Sequence, residues 1–139
     1  MNKSETHSDF VALALNLISA AERGDGAETM ALFDPETVIW HNTDELTVSM
    51  ADNLPPSAVL TRKVPNRRYE DVKITPFDGG YIQQHRLVGE TVDGEAFSLP
   101  ACAVMHVRNG KIIRIDEYFD SAPLIKLGID SWLPVDRSR

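Results

Sequence analysis

Between Phe10 and Ala21 the apolar residues Phe10, Leu13, Ala14, Leu17, Ile18 and Ala21 recur at three- and four-residue steps, which puts them on one face of a helix. Thr6 with Asp9, or Ser8 alone, is placed to cap its free N–H groups, and Arg23-Gly24 to end it. A second, short helix is predicted from Asp25, with Ala27, Met30, Ala31, Leu32 and Phe33 as its apolar content. Asp34-Pro35 should stop it, because a residue before proline is pushed out of the helical region. A first strand is predicted over 37–42. From Thr43 to Arg68 the pattern breaks up around Pro55, Pro56 and Pro65. Ala58, Val59 and Leu60 predict one or two helical turns starting at Pro56.

Beyond Arg68 the pattern changes. Asp78-Gly79-Gly80, Asp93-Gly94 and Asn109-Gly110 take the positive φ of tight turns and divide strand-like runs over 69–75, 81–91, 95–108 and 111–119. Helices followed by a meander of antiparallel strands predict an α+β fold, a curled sheet whose concave face lies under the N-terminal helices and encloses a pocket. Strands this long must coil. Pro100 removes a ladder donor and predicts a bulge or a locally unpaired edge. Pro123 to Leu127, with Trp132 beyond, is placed to seal the pocket or reach a partner, and Asp136 to Arg139 to fray.

The 139 residues are 42% apolar, enough for one domain over 1–139 with its core at about 8–128. A net charge of −7 argues against a nucleic-acid partner, and the cluster Arg62, Lys63, Arg67, Arg68 and Lys73 reads as a solvated face. Cys102 is the one cysteine, a small core residue rather than a nucleophile, and it leaves no internal disulfide. The start MNKSETHSDF lacks the apolar core of a signal peptide, so a cytoplasmic setting is expected. No apolar run approaches the roughly 20 residues that cross a bilayer, which argues against a membrane role. The histidines are scattered without metal-ligand spacing, and no metal is expected. Nucleophile-elbow and phosphate-loop motifs are absent.

The order of elements, the strand Thr37-Val38-Ile39-Trp40-His41-Asn42 and above all the closing run Asn109-Gly110-Lys111-Ile112-Ile113-Arg114-Ile115-Asp116-Glu117-Tyr118-Phe119-Asp120 carry a resemblance. Over about 10–127 the chain resembles the SnoaL-like branch of the nuclear transport factor two-like superfamily. The resemblance implies a cone of helices over a curved sheet, with an apolar pocket used for hydrolysis, cyclisation, isomerisation, dehydration or plain binding, and a homodimer through the outer sheet face. Fold likeness underdetermines chemistry. Set against the epoxide hydrolases of the group, Glu117 stands for the last-strand Asp, Gln84 and Arg86 for an Arg and Asp two apart, and Trp40 and Asn42 for a Tyr and Asn. One carboxylate and the Asn survive, which argues against that hydrolase mechanism. Polyketide cyclases of the branch use an Asp or His as base in the same cavity, a requirement this chain can still meet.

Residues two apart on a strand share a face, so Ile115, Glu117 and Phe119 go together, as do Gln84 and Arg86. With Leu99, Ala101, Ala103 and Met105 as apolar wall and Trp40 at the mouth, Glu117 would act as acid–base residue. Arg86, Gln84 or Asn42 would hold a developing oxyanion. Glu117 and Arg86 as a structural ion pair is the alternative. His41 and His85 have the opposite parity and are alternative bases, and Asp116 replaces Glu117 if a bulge shifts the register by one. His106 is expected on the outer surface. The reading is a cofactor-independent acid–base enzyme on a small hydrophobic, cyclic, oxygenated ligand; a binding or dimerisation domain of the same fold is the alternative. Val104 and Ile113 on the outer face lead to a homodimer.

Overall fold

The computed structural model describes residues 5–129. Helix α1 runs His7–Arg23, α2 Gly26–Ala31, strand β1 Phe33–His41, β2 Leu46–Ser49, α3 Met50–Lys63, β3 Arg68–Phe77, β4 Gly80–Glu90, β5 Ala96–Arg108, β6 Lys111–Phe119 and α4 Ala122–Ile125. The strands form one sheet in the order β2-β1-β6-β5-β4-β3. The expected α+β architecture is present, with one difference: β1 lies parallel to β6, so the sheet is mixed at that join.

Thr6 caps α1 in a reciprocal box with Asp9, and Gly24 ends it at φ +69°. Its apolar stripe, Phe10, Leu13, Ala14 and Leu17, packs on Ile39, Tyr81, Met105 and Ile115 of the concave sheet face. A second cluster, at the other end, gathers Val64, Leu87, Phe97, Leu99 and Phe119 with Leu124, Leu127 and Ile129. The segment around Leu124 therefore closes the cone. Trp132 and the tail at Asp136 lie outside the described residues.

Several sequence expectations change. Helix α2 stops at Leu32, and Asp34-Pro35 lies inside β1 instead of ending the helix. That strand bows away from β6 between Phe33 and Val38, where Thr37 Oγ1 donates to the carbonyl of Ile112 at 2.6 Å, and only 38–41 pairs regularly. The proline-rich stretch forms 14 residues of helix starting at Met50, six residues before Pro56, because Ser49 caps it through Asp52 N–H. Strand β2 was not foreseen, since Val48 is its one buried residue. Pro100 makes no bulge against β4, where it faces Arg86 in unbroken register; it sits just beyond the last β5–β6 pair, Ala101 with Phe119, and so at a local edge. The β5–β6 bulge lies instead between His106 and Val107, where β6 carries the extra residue Ile113.

Candidate active site

Register assigns the faces. His41, Glu117, Ala103 and Gln83 stand side by side on β1, β6, β5 and β4, and residues paired across a ladder share a face. In the next row Phe119, Ala101 and His85 lie together. These residues, with Leu17 and Ile18 of α1, Asn53, Ser57 and Leu60 of α3, and Leu124, line a cavity of about 220 Å³. It is smaller than the ~300–1,000 Å³ of most ligand pockets, which suits a compact molecule.

Glu117 is the cavity's carboxylate. Its side chain is 31% exposed and lines the cavity. Burial pushes its carboxyl up to about 7. His41 is 1% exposed, with Nε2 3.6 Å from Glu117 Oε2. Burial holds His41 down to about 4 against the pull of Asp44, so at neutral pH the imidazole is uncharged and the contact is not an ion pair. The ring of Phe119 stands edge-on to it at 5.7 Å. His85 is likewise held down to about 4 by burial. Its Nδ1 lies 3.0 Å from Gln83 Nε2, and its ring stands 4.8 Å from that of Tyr69. Burial first, then Glu117, pushes the Tyr69 phenol up to about 12, so it stays protonated. The wall thus holds neutral hydrogen-bonding groups around one carboxyl that titrates near neutrality.

The expected apolar wall is in place: Leu99, Ala101, Ala103, Met105, Ile115 and Phe119 all line the cavity. The expected polar partners are not. Gln84 and Arg86 point to the outer face, because their neighbours Gln83 and His85 occupy the inner positions. Arg86 Nε lies 3.7 Å from Asp71 and its Nη1 donates to Ser98 Oγ at 2.9 Å, so the alternative of an Arg86–Glu117 pair is overturned. Trp40 is also outside, edge-on to Tyr118 at 5.2 Å. Asn42 does not line the cavity; it binds the backbone of Phe119. Asp116 is on the outer face, where Arg114 Nε donates to it at 2.8 Å and His106 lies at 3.3 Å. Gln83, Tyr69, Asn53 and Ser57 were missed as wall residues. Pairing Ala103 with its β4 neighbour would have found Gln83.

Among the described residues no group of three or more His, Cys, Asp and Glu side chains is placed to hold a metal ion, and no helix is long and apolar enough to cross a membrane.

No family model and no curated protein sequence matches the chain. Solved structures do. AclR from Streptomyces galilaeus, assigned as a hydroxylase, superposes with a TM-score of 0.79 at 17% identity over 88% of this chain and 83% of its own. A protein from Jannaschia sp. CCS1 assigned as a SnoaL-like polyketide cyclase gives 0.72 at 17% identity, over 94% of this chain and 98% of its own. A Bacillus subtilis protein assigned as an isomerase gives 0.73 at 12% identity, over 91% and 97%. The likeness carried by the closing Asn-Gly-Lys-Ile strand is therefore one of fold, and the chain has the cone fold of the SnoaL-like, nuclear transport factor two-like proteins.

Proposed function

We propose that the protein is a cofactor-independent acid–base enzyme acting on a compact, oxygenated, largely apolar molecule held in the cone. One observation carries the reading: Glu117, the one cavity carboxyl among the described residues, is set by burial to titrate at about 7, where a group can both take and return a proton at neutral pH. In the step proposed, Glu117 removes a proton from the carbon beside a substrate carbonyl; the C–H electron pair forms the C=C bond of an enolate and the carbonyl π pair moves onto the oxygen. The protonated Tyr69 and the neutral His41 offer donors to that oxygen. Returning the proton to another carbon gives isomerisation, and attack of the enolate on a second carbonyl gives cyclisation. Neighbours of the same fold assigned as a cyclase and an isomerase support this class.

The test is conversion of a panel of small cyclic ketones and hydroxyketones by the wild type and by Glu117→Gln, followed by mass spectrometry and solvent deuterium uptake. Wild-type turnover that falls by about 10²–10⁴ in the variant supports the reading. Compounds that bind but never exchange or convert would make this a binding domain.

We also propose that two copies pair through the outer sheet face, where half-buried Trp40, Ile82 and Val104 and exposed Tyr118 lie to either side of Asp116, in a reducing compartment where Cys102 remains a thiol.

A further inference from the structure

Gln83 is 3% exposed, lines the cavity, and its Oε1 is shielded from water with no hydrogen-bond partner among the described residues. A buried acceptor left unpaired is unfavourable, and native structures keep few of them without a reason. The amide is held at its other end, where Nε2 meets His85 Nδ1 at 3.0 Å. With that nitrogen of the neutral imidazole accepting, the Gln83 N–H donates to it and the carbonyl oxygen is the atom left over. Across the row, Gln83 and Glu117 flank Ala103 on the strand between them, so their backbones lie two strand spacings, about 10 Å, apart. Ala101 continues the low floor in the next row, between Phe119 and His85. The result is a slot with two alanines as its base, a carboxyl on one side and an amide on the other.

We infer that Gln83 is a specificity-determining residue: its amide oxygen, oriented by His85, accepts a hydrogen bond from a hydroxyl group of the ligand seated over Ala101 and Ala103. This deepens the proposal above and rests on the cavity being a small-molecule site, whatever chemistry Glu117 performs there. The ligand class narrows to compact ring compounds that carry a hydroxyl as well as the group presented to Glu117. A methyl or an ether oxygen in place of that hydroxyl leaves the amide oxygen unpaired.

Phenol, anisole and toluene share one ring and differ in this group: phenol donates, anisole only accepts, toluene does neither. Their dissociation constants, measured by NMR titration of the wild type, Gln83→Leu, Gln83→Met, His85→Phe and Glu117→Gln, test the assignment. The expected result is phenol bound about tenfold or more tightly than the other two, equivalent to about 1.4 kcal/mol. That preference should survive in Glu117→Gln, collapse in both Gln83 variants while toluene binding is kept, and shrink in His85→Phe. Equal binding of the three probes, a preference for anisole, or a phenol preference that survives loss of Gln83 would overturn the assignment and leave the cavity reading standing. If none of the three binds, the small-molecule cavity itself falls and the assignment with it.

Discussion

Asn42 and Phe119 are joined twice: Asn42 Nδ2 donates to the Phe119 carbonyl at 3.2 Å, and the Phe119 N–H donates to Asn42 Oδ1 at 2.9 Å. The side-chain amide acts as one more residue of ladder just past the end of β1, immediately beyond His41 and Glu117. Asn42→Ala removes both bonds and leaves two backbone groups to find other partners. We expect a loss of about 1–3 kcal/mol in urea unfolding; a loss below about 0.5 kcal/mol would show the clamp to be dispensable.

Glu117 makes stability depend on pH in a definite direction. Its ordinary value of 4.5 applies to the unfolded chain, and burial raises it to about 7 in the fold. Below 4.5 both states hold the proton; as pH rises the unfolded chain ionises first, so native stability falls and the loss is complete only above 7. Glu117→Gln escapes this loss. Relative to wild type, the variant should gain about 1–3 kcal/mol between pH 4 and 8, a range that allows for water in the cavity. A flat difference across that range would contradict the burial of the carboxyl.

His41 and His85 act in the opposite sense, since both are held at about 4, below the ordinary 6.5. On acidification from pH 6.5 to 4 the unfolded chain gains protons that the fold refuses, and stability drops. A double variant, His41→Gln with His85→Gln, should flatten that part of the curve. An unchanged acid limb would place its origin in other groups.

Arg86 and Gln84 belong to the outer face, where Arg86 meets Asp71 and Ser98. Alanine at either position should leave kcat/KM within about twofold of wild type once a substrate is in hand. A hundredfold loss would put the chemistry outside the cone.

The outer face also bears on association. Tyr118 is 46% exposed and meets Trp40 edge to face. Tyr118→Arg would bring like charges together across a two-fold contact and should shift sedimentation from dimer to monomer. A wild type that sediments as a monomer at all concentrations would remove the pairing.

Helix α1, the four-strand meander and its turns are legible because their signals are local: a capping box, a periodic stripe, Asp-Gly and Asn-Gly. The inner face of β4 is not. Tyr81-Ile82, Gln83-Gln84, His85-Arg86 and Leu87-Val88 are pairs of like character, so alternation carries no sign of which member turns inward. Both faces of the sheet also carry apolar residues, as Val104 and Ile82 outside answer Met105 and Tyr81 inside. The inner face of β5 is legible because Leu99, Ala101, Ala103 and Met105 form a long alternating set. The full length of α3 is hidden in the sequence, since two adjacent prolines obscure a start set by Ser49.

The single extra residue at Ile113 decides more than the shape of one strand. Near the turn, Arg108 pairs with Lys111 and Val107 with Ile112; past the bulge, His106 pairs with Arg114 and Ala103 with Glu117. Had the first register continued, Ala103 would have faced Asp116, and Asp116 would have entered the cavity while Glu117 joined the solvent side. Ironing out the bulge with Ile113 kept in the ladder would exchange a longer carboxylate for a shorter one, and His106 and Arg114 would lose the acid they hold, whereas deleting Ile113 would leave Glu117 opposite Ala103. The bulge therefore sets the reach of the acid through backbone register at constant chain length, and the same shift would trade Ile115 and Phe119 in the wall for Arg114 and Tyr118.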